Sequence, residues 1–148
     1  MVRKGFAGAQ GGVAAIEFAI TGGLLALLVV AGADISMGFY SYMQVQNSAQ
    51  AGAQYAAVHG FNSSSISTAV TNATSTPGIS ASPAPAQFCG CPSGTASTPV
   101  ACNATCADGM NAGTYVSASA ARDYSTLISY PMFPATYHQT STSTVRIQ

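Results

Sequence analysis

Charged side chains are scarce in this 148-residue sequence, since Asp, Glu, Lys and Arg make up only 5% of it. In an ordinary soluble domain, these four residue types make up about a quarter of the sequence. The four basic and four acidic residues cancel to a formal net charge of zero, and there is no tryptophan. A surface that binds nucleic acid needs clustered basic residues to neutralise phosphates, so we expect no nucleic-acid partner.

Basic residues are missing from almost the whole chain, because none occurs between Lys4 and Arg122. Within that gap, residues 13–33 are mostly apolar and carry no charge apart from Glu17, and they match the roughly 20 residues that a bilayer-spanning helix needs. Basic residues before the span and none soon after it predict a cytoplasmic N-terminus. We therefore predict a leader at residues 1–12, a transmembrane helix at 13–33, and the remaining chain outside the inner leaflet.

Proline is absent before Pro77, so nothing interrupts a helix that starts in the span. Apolar and small residues continue at three- and four-residue steps up to Gly60, which predicts one helix over about residues 13–59, with an extracytoplasmic extension at 34–60. Two pairs in the span, Ala19 with Gly23 and Gly22 with Ala26, have the small-x-x-x-small spacing of packed membrane helices. The alternative is that apolar membrane helices are rich in Gly and Ala for other reasons.

Cysteine occurs only four times, at Cys89, Cys91, Cys102 and Cys106. An even, clustered set in a translocated segment predicts two disulfides. A bond between Cys89 and Cys91 would close a very small ring, so 89–102 with 91–106 and 89–106 with 91–102 both stay open. The alternative is a four-thiolate zinc site, for which C-x-C followed by C-x3-C is atypical spacing. We expect no metal and no cofactor.

Bulky apolar residues are few in residues 61–148, the predicted extracytoplasmic domain. We predict a loop-rich segment over about 61–112, strands at 114–120 and 126–130, and a third in the alternating C-terminal residues 140–148. The predicted fold is α+β and membrane-anchored, with a small antiparallel sheet packed on the outer half of the long helix. Four tyrosines are expected to pack that sheet on the helix, or alternatively to form an adhesive surface: Tyr115, Tyr124, Tyr130 and Tyr137.

Glu17 needs an explanation, because it stands in the apolar run of "GGVAAIEFAI", residues 11–20. This stretch resembles the processing site of type IV prepilins, in which a peptidase cuts after glycine and glutamate is fifth in the mature chain. A cut after Gly12 makes Val13 the first residue and Glu17 the fifth. The resemblance extends through "QVQNSAQAGAQYAAVHG" to the TadE-like family of minor pseudopilins. Thr21-Gly22-Gly23 stands where many relatives carry a proline, which argues against a proline kink.

The resemblance implies a non-enzymatic component of the tight-adherence (Tad, or Flp) pilus system, a type IV pilus-like machine for adhesion and biofilm formation. It implies a single-pass protein of the bacterial inner membrane, with its C-terminal domain periplasmic or extracellular, that supports pilus assembly or initiation. The implied partners are the prepilin peptidase, other pilins or pseudopilins, and Tad assembly proteins. In such assemblies the fifth-position glutamate pairs with the free N-terminal amine of a neighbouring subunit, so the resemblance assigns this role to Glu17.

Two other classes of protein compete with this interpretation. Ala31-Gly32-Ala33 resembles a signal peptidase site, and a cut after Ala33 would give a secreted or membrane-anchored adhesion module with ordinary signal-peptide processing. An enzyme is not expected, because His59 and His138 are isolated and the acidic residues show no metal-loop spacing. We accordingly expect no catalytic residues and no small-molecule substrate.

Overall fold

The structure, a computed structural model, describes residues 10–94, 96–129, 131 and 133–148, with residues 10 and 11 described by their backbone alone. The predicted leader residues Arg3 and Lys4 and the predicted packing residue Tyr130 lie outside this part of the chain. The elements are two helices and four strands: α1 (Gln10–His59), α2 (Ser63–Asn72), β1 (Ala86–Ser93), β2 (Ala96–Pro99), β3 (Gly113–Ser125) and β4 (Thr136–Arg146).

The chain forms two compact units, one ending at Met37 and a distal one at Gly38–Gln148. The first contains the apolar part of α1, whose large side chains from Val13 to Val29 are 58–77% exposed. A helix that is apolar all round needs an apolar environment such as a membrane. Gly12–His59 is long and apolar enough to cross one, and none of its most apolar window is buried. The predicted boundaries after residues 12, 33 and 60, which separate the leader, the transmembrane helix, the helix extension and the C-terminal domain, stay predictions.

Helix α1 ends as the sequence predicts. Gly60 has a φ of +77°, and its amide donates to the Ala56 carbonyl at 2.9 Å. This is the left-handed position after a helix that glycine occupies without steric strain. The predicted helix at residues 13–59 is confirmed, and it begins three residues earlier, at Gln10.

A second helix lies in the segment that we predicted to be loop-rich, which is a correction. The Asn62 side chain caps α2 by accepting a hydrogen bond from the Ser65 amide at 3.0 Å. Ile66 and Val70, four residues apart, are fully buried on one face of this helix. Its Ser- and Thr-rich sequence has a weak helical propensity, so burial of these two residues is what stabilises it.

The sheet is antiparallel throughout, in the order β2-β1-β3-β4, and the predicted α+β architecture is confirmed. The strand predicted at 114–120 is longer, and the C-terminal strand begins at Thr136. The strand predicted at 126–130 is wrong: residues 126–129 are not in a strand, and they belong to the connection between β3 and β4. The cysteine-containing segment was also predicted to be loop-rich, and this is corrected too. It contains strand β1, which pairs with both β2 and β3.

The core of the distal unit is built almost entirely from small side chains. It is formed by the outer half of α1, by α2 and by the helix-facing side of β3, from Val45, Ala49, Ala53, Ala56, Ile66, Val70, Val116, Ala118 and Ala120. Small side chains let backbones approach closely, so the apolar area buried per residue is low. The packing therefore depends on close fit at each position.

Candidate functional site

The predicted processing bond, Gly12–Val13, lies in the first turn of α1. Val13 is 60% exposed. Space around Gly12 is open, since a Cβ built there would meet no heavy atom within 4 Å. Nothing in the described part of the fold therefore covers this bond.

Glu17 is exposed one helical turn beyond Val13. Residues four apart share a helix face, and the rise between them is about 6 Å. The described residues provide the Glu17 carboxylate with no hydrogen bond and no ion pair. The hydroxyl of Thr21, by contrast, donates to the Glu17 carbonyl at 2.7 Å, which satisfies that hydroxyl within the helix. The carboxylate is the polar group of this segment that a partner would have to satisfy.

The predicted helix-packing residues, Ala19, Gly22, Gly23 and Ala26, lie on the same exposed segment. A Cβ built on Gly22 or Gly23 would meet nothing within 4 Å, so no contact inside the described chain requires glycine there. The absence of side chains leaves a shallow place on the helix surface where a second helix can approach closely.

Further along α1, the small residues have an internal packing role. Ala49, Ala53 and Ala56 are buried, and a Cβ built on Gly52 would lie 2.5 Å from Val70 Cγ2 and 3.0 Å from Ala118 Cβ. The "AQAGAQYAA" pattern thus makes the close contact with α2 and β3. Gly52 is therefore required by close contacts within the distal unit, whereas Gly22 and Gly23 have no such contacts in the described chain.

One family model matches the segment that carries all of these features: TadE-like protein, over residues 12–54. This segment is TadE-like. The match begins at the glycine that precedes the predicted processing bond, includes Glu17 and ends at Gln54, beside the buried Gly52 and Ala53. It covers less than half of the chain. Neither the curated proteins nor the solved structures contain a significant match.

The TadE-like family implies a component associated with the Tad pilus. The match and the single apolar N-terminal helix of the described chain fit a single-pass membrane protein that associates with pilus components.

Two disulfides fasten the segment that follows the TadE-like part. Cys89 is bonded to Cys102 and Cys91 to Cys106, with Cα atoms 4.9 and 5.6 Å apart. This is the first of the two pairings left open by the sequence. No thiolate is available for the alternative zinc site, and the described residues contain no cluster of three or more His, Cys, Asp or Glu side chains suited to a metal.

A polar network connects the start of the helical part of the distal unit with β3 and β4. The Gln139 amide donates to the Gly38 carbonyl at 3.0 Å, and its oxygen accepts from the Ser41 hydroxyl at 2.6 Å. Arg122 donates to the same hydroxyl at 3.0 Å. This network was not predicted, and no local sequence signal marks it, because its partners are about 80 to 100 residues apart in the chain.

Among the predicted tyrosines that the structure describes, Tyr124 packs on the helix as expected. Tyr124 lies beside Gly38 of α1, with its Cε1 atom 3.5 Å from a Cβ built there. Tyr115 is buried, but it stacks on Phe88 of β1 with ring centroids 5.7 Å apart. It belongs to the sheet face opposite Val116, because neighbouring residues of a strand point to opposite faces. Tyr137 is 39% exposed.

Proposed function

We propose that this chain is a minor pseudopilin that supports assembly or initiation of a Tad-type pilus, and through it adhesion and biofilm formation. The observation that carries the proposal is the TadE-like match beginning at Gly12, on a helix whose apolar side chains are exposed. In this proposal a prepilin peptidase cuts between Gly12 and Val13, and the mature chain stays in the bacterial inner membrane with its distal unit outside the cytoplasm.

Glu17 is proposed to bind the new N-terminal amine of Val13 on a neighbouring pilin or pseudopilin. A carboxylate in a bilayer costs about 2.5–3.5 kcal/mol on insertion scales, so an unpartnered one is disfavoured. The amine created by processing is equally costly to bury, and pairing offsets part of both costs. The open surface at Gly22 and Gly23 supports the same arrangement, because it allows a second helix to come close.

The proposed role is structural and non-enzymatic. The groove beside α2 is lined by hydroxyl, methyl and carboxamide side chains, without a carboxylate, imidazole or thiol: Tyr55, Ser64, Ser65, Thr68, Ala69 and Asn72. Such a lining offers hydrogen bonds but no general base with an ordinary pKa near neutrality.

Helix continuity disfavours the competing secreted or anchored adhesion module. Ala31, Gly32 and Ala33 lie in the middle of α1, and a helical backbone continues on both sides of them. The hydroxyl of Ser36 donates to the Gly32 carbonyl at 2.8 Å within the helix. A signal peptidase would have to unwind the interior of the helix to reach the bond after Ala33, whereas the Gly12–Val13 bond lies in the first turn of α1, and helix ends fray.

The N-terminal sequence and the unreduced intact mass of the membrane-extracted protein test the proposal. We expect a chain that begins at Val13 and lacks four hydrogens because of its two disulfides. Gly12→Val is expected to block the cut, whereas Gly32→Val, also at an open helical position, leaves it unchanged. A mature chain that begins at Asp34 would support the adhesion module, and an uncut chain beginning at Met1 would contradict pseudopilin processing.

A further inference from the structure

The groove beside α2 has a volume of about 360 Å³, which is within the range of sites that hold small molecules. Its α2 side is a stripe of residues that lie within about 140° of one another around the helix axis: Ser64, Ser65, Thr68, Ala69 and Asn72. This stripe is next to the buried stripe of Ile66 and Val70. Packing of α2 on the core therefore fixes the position of the groove.

The other side of the groove is formed by Tyr55 of α1. This side chain is partly buried and packs against the core. Its ring stacks on His59, one helical turn later, with centroids 4.3 Å apart and 17° between the planes. His59 covers one face of the ring and does not line the groove, so the rest of the ring meets the groove. Both contacts hold the ring in place, which lowers the entropic cost of binding a ligand on it.

The polar side chains of the groove are free to bind a ligand. In the described chain, no hydrogen bond engages the side-chain polar atoms of four of them: Tyr55, Ser64, Ser65 and Asn72. The Thr68 hydroxyl donates to the Ser64 carbonyl at 3.0 Å and can still accept a hydrogen bond. Hydroxyl and carboxamide groups each donate and accept, so they match a ligand that is itself rich in hydroxyl groups.

No charged side chain lines the groove. The sequence around it is also uncharged, since no Asp, Glu, Lys or Arg occurs from residue 35 to residue 107. A charged ligand would lose part of its hydration there without gaining an opposite charge, which is unfavourable. The groove therefore fits an uncharged molecule that has an apolar face and several hydroxyl groups.

We propose that the groove beside α2 binds a neutral sugar, with a C–H face of the sugar on the Tyr55 ring and its hydroxyl groups on the polar side chains of α2, Asn72 among them. A pyranose has apolar C–H faces and a rim of hydroxyls, and an aromatic ring bordered by hydroxyl and carboxamide groups complements both. This inference goes beyond the proposed function and depends neither on processing nor on pilus assembly. It gives the distal unit a carbohydrate contact of its own.

Saturation-transfer NMR of the full chain tests this contact, with maltose, lactose and cellobiose as probes and phosphocholine micelles, which carry no sugar, as the detergent. We expect the wild type to transfer saturation to at least one of these sugars. Tyr55→Phe and Asn72→Leu should each raise the Kd about 2- to 10-fold, because each removes a hydrogen-bonding group. Tyr42→Ala is the matched control and should bind as the wild type does. Tyr42 is a 40% exposed tyrosine of α1, about 20 Å along the helix from Tyr55.

The two binding variants keep the test independent of folding. Tyr55→Phe retains the ring that packs against the core, and Asn72 is exposed at the end of α2. No transfer from the wild type to any of the three sugars overturns the proposal, and so does an unchanged Kd in both variants. A co-purified pilin that contacts the groove, with no transfer to sugar, shows a protein site and overturns it as well. None of these results alters the mature N-terminus, so failure of the sugar site is distinguishable from failure of the proposed function.

Discussion

Adding a single methyl group at Gly52 tests the packing that the TadE-like segment makes with the distal unit. Gly52→Ala has two opposing effects on the free energy of unfolding. In a helix interior, alanine is more favourable than glycine by about 1 kcal/mol. The new Cβ, however, would lie 2.5 Å from Val70 Cγ2 and 3.0 Å from Ala118 Cβ, closer than carbon atoms pack. Overpacking of this kind costs about 1–3 kcal/mol.

The neighbours decide which effect is larger. Ala118 has no flexible side chain, so its Cβ moves only if β3 moves, and Val70 is branched at Cβ and stiff. Both are fully buried. We expect a net destabilisation of about 1–2 kcal/mol, because the cost of overpacking exceeds the gain in helical propensity. Guanidinium unfolding of the full chain in detergent micelles measures it, with tyrosine emission as the signal, since the apolar part of α1 stays helical in micelles.

Val70→Ala provides the control that isolates the contact. It removes the atom nearest to the new methyl group, so Gly52→Ala is expected to destabilise the Val70→Ala protein clearly less than it destabilises the wild type, with Ala118 Cβ at 3.0 Å as the remaining close contact. Pairs in contact commonly show coupling of 0.5–3 kcal/mol. Gly32→Ala, at an open helical position, should leave the unfolding of the distal unit unchanged. Equal destabilisation by Gly52→Ala in both backgrounds would refute the argument from the Val70 contact.

Three further predictions concern the disulfides, the polar network and the membrane carboxylate. Replacing either disulfide by two serines should lower the free energy of unfolding by about 3 kcal/mol, and by similar amounts for both, since the bonded cysteines are 13 and 15 residues apart. Gln139→Ala removes two hydrogen bonds, to Gly38 and from Ser41, and should cost about 2 kcal/mol. Glu17→Gln should leave processing and membrane insertion intact but reduce co-purification with partner pilins, because the amide cannot neutralise their N-terminal amine.

Two of these three predictions have a matched control variant. Thr140→Ala, on the exposed face of β4 next to Gln139, should change stability by less than about 0.5 kcal/mol. A Gln139→Ala protein as stable as the Thr140→Ala protein would show that the network does not stabilise the fold. Thr21→Val is the control for Glu17→Gln, since it alters a neighbouring polar side chain without changing charge. Unchanged co-purification of the Glu17→Gln protein would exclude the pairing role, and no loss of stability without one disulfide would contradict the loop-closure argument.

Features that depend on nearby residues were predictable from the sequence. Helix α1 could be predicted because an apolar, proline-free run is followed by small and apolar residues at helical spacing, with Gly60 as the stop. The disulfides could be predicted because four clustered cysteines have few ways to pair, although two pairings remained. The TadE-like segment could be recognised because its glycine, glutamate and Gln/Ala pattern lie within 43 consecutive residues, 12–54.

The structure of residues 61–112 depended on contacts with distant parts of the chain. Helix α2 is weak by propensity and forms because Ile66 and Val70 bury against α1 and β3. Strand β1 contains Gly90 and Pro92, which disfavour strands, yet it pairs with β3 and is fixed by both disulfides. Residues 126–130 have strand-like composition, but residues 126–129 follow the end of β3 and are not in a strand.

The sequence by itself determined the apolar helix, the position of Glu17 within it, and the presence of crosslinks, because each depends on composition or on spacing along the chain. Only the tertiary structure decided that Gly52 is required by Val70 and Ala118, and that Gln139 joins Gly38 and Ser41. Such contacts join residues that are far apart in the chain, and their energy depends on distances that local propensity does not contain.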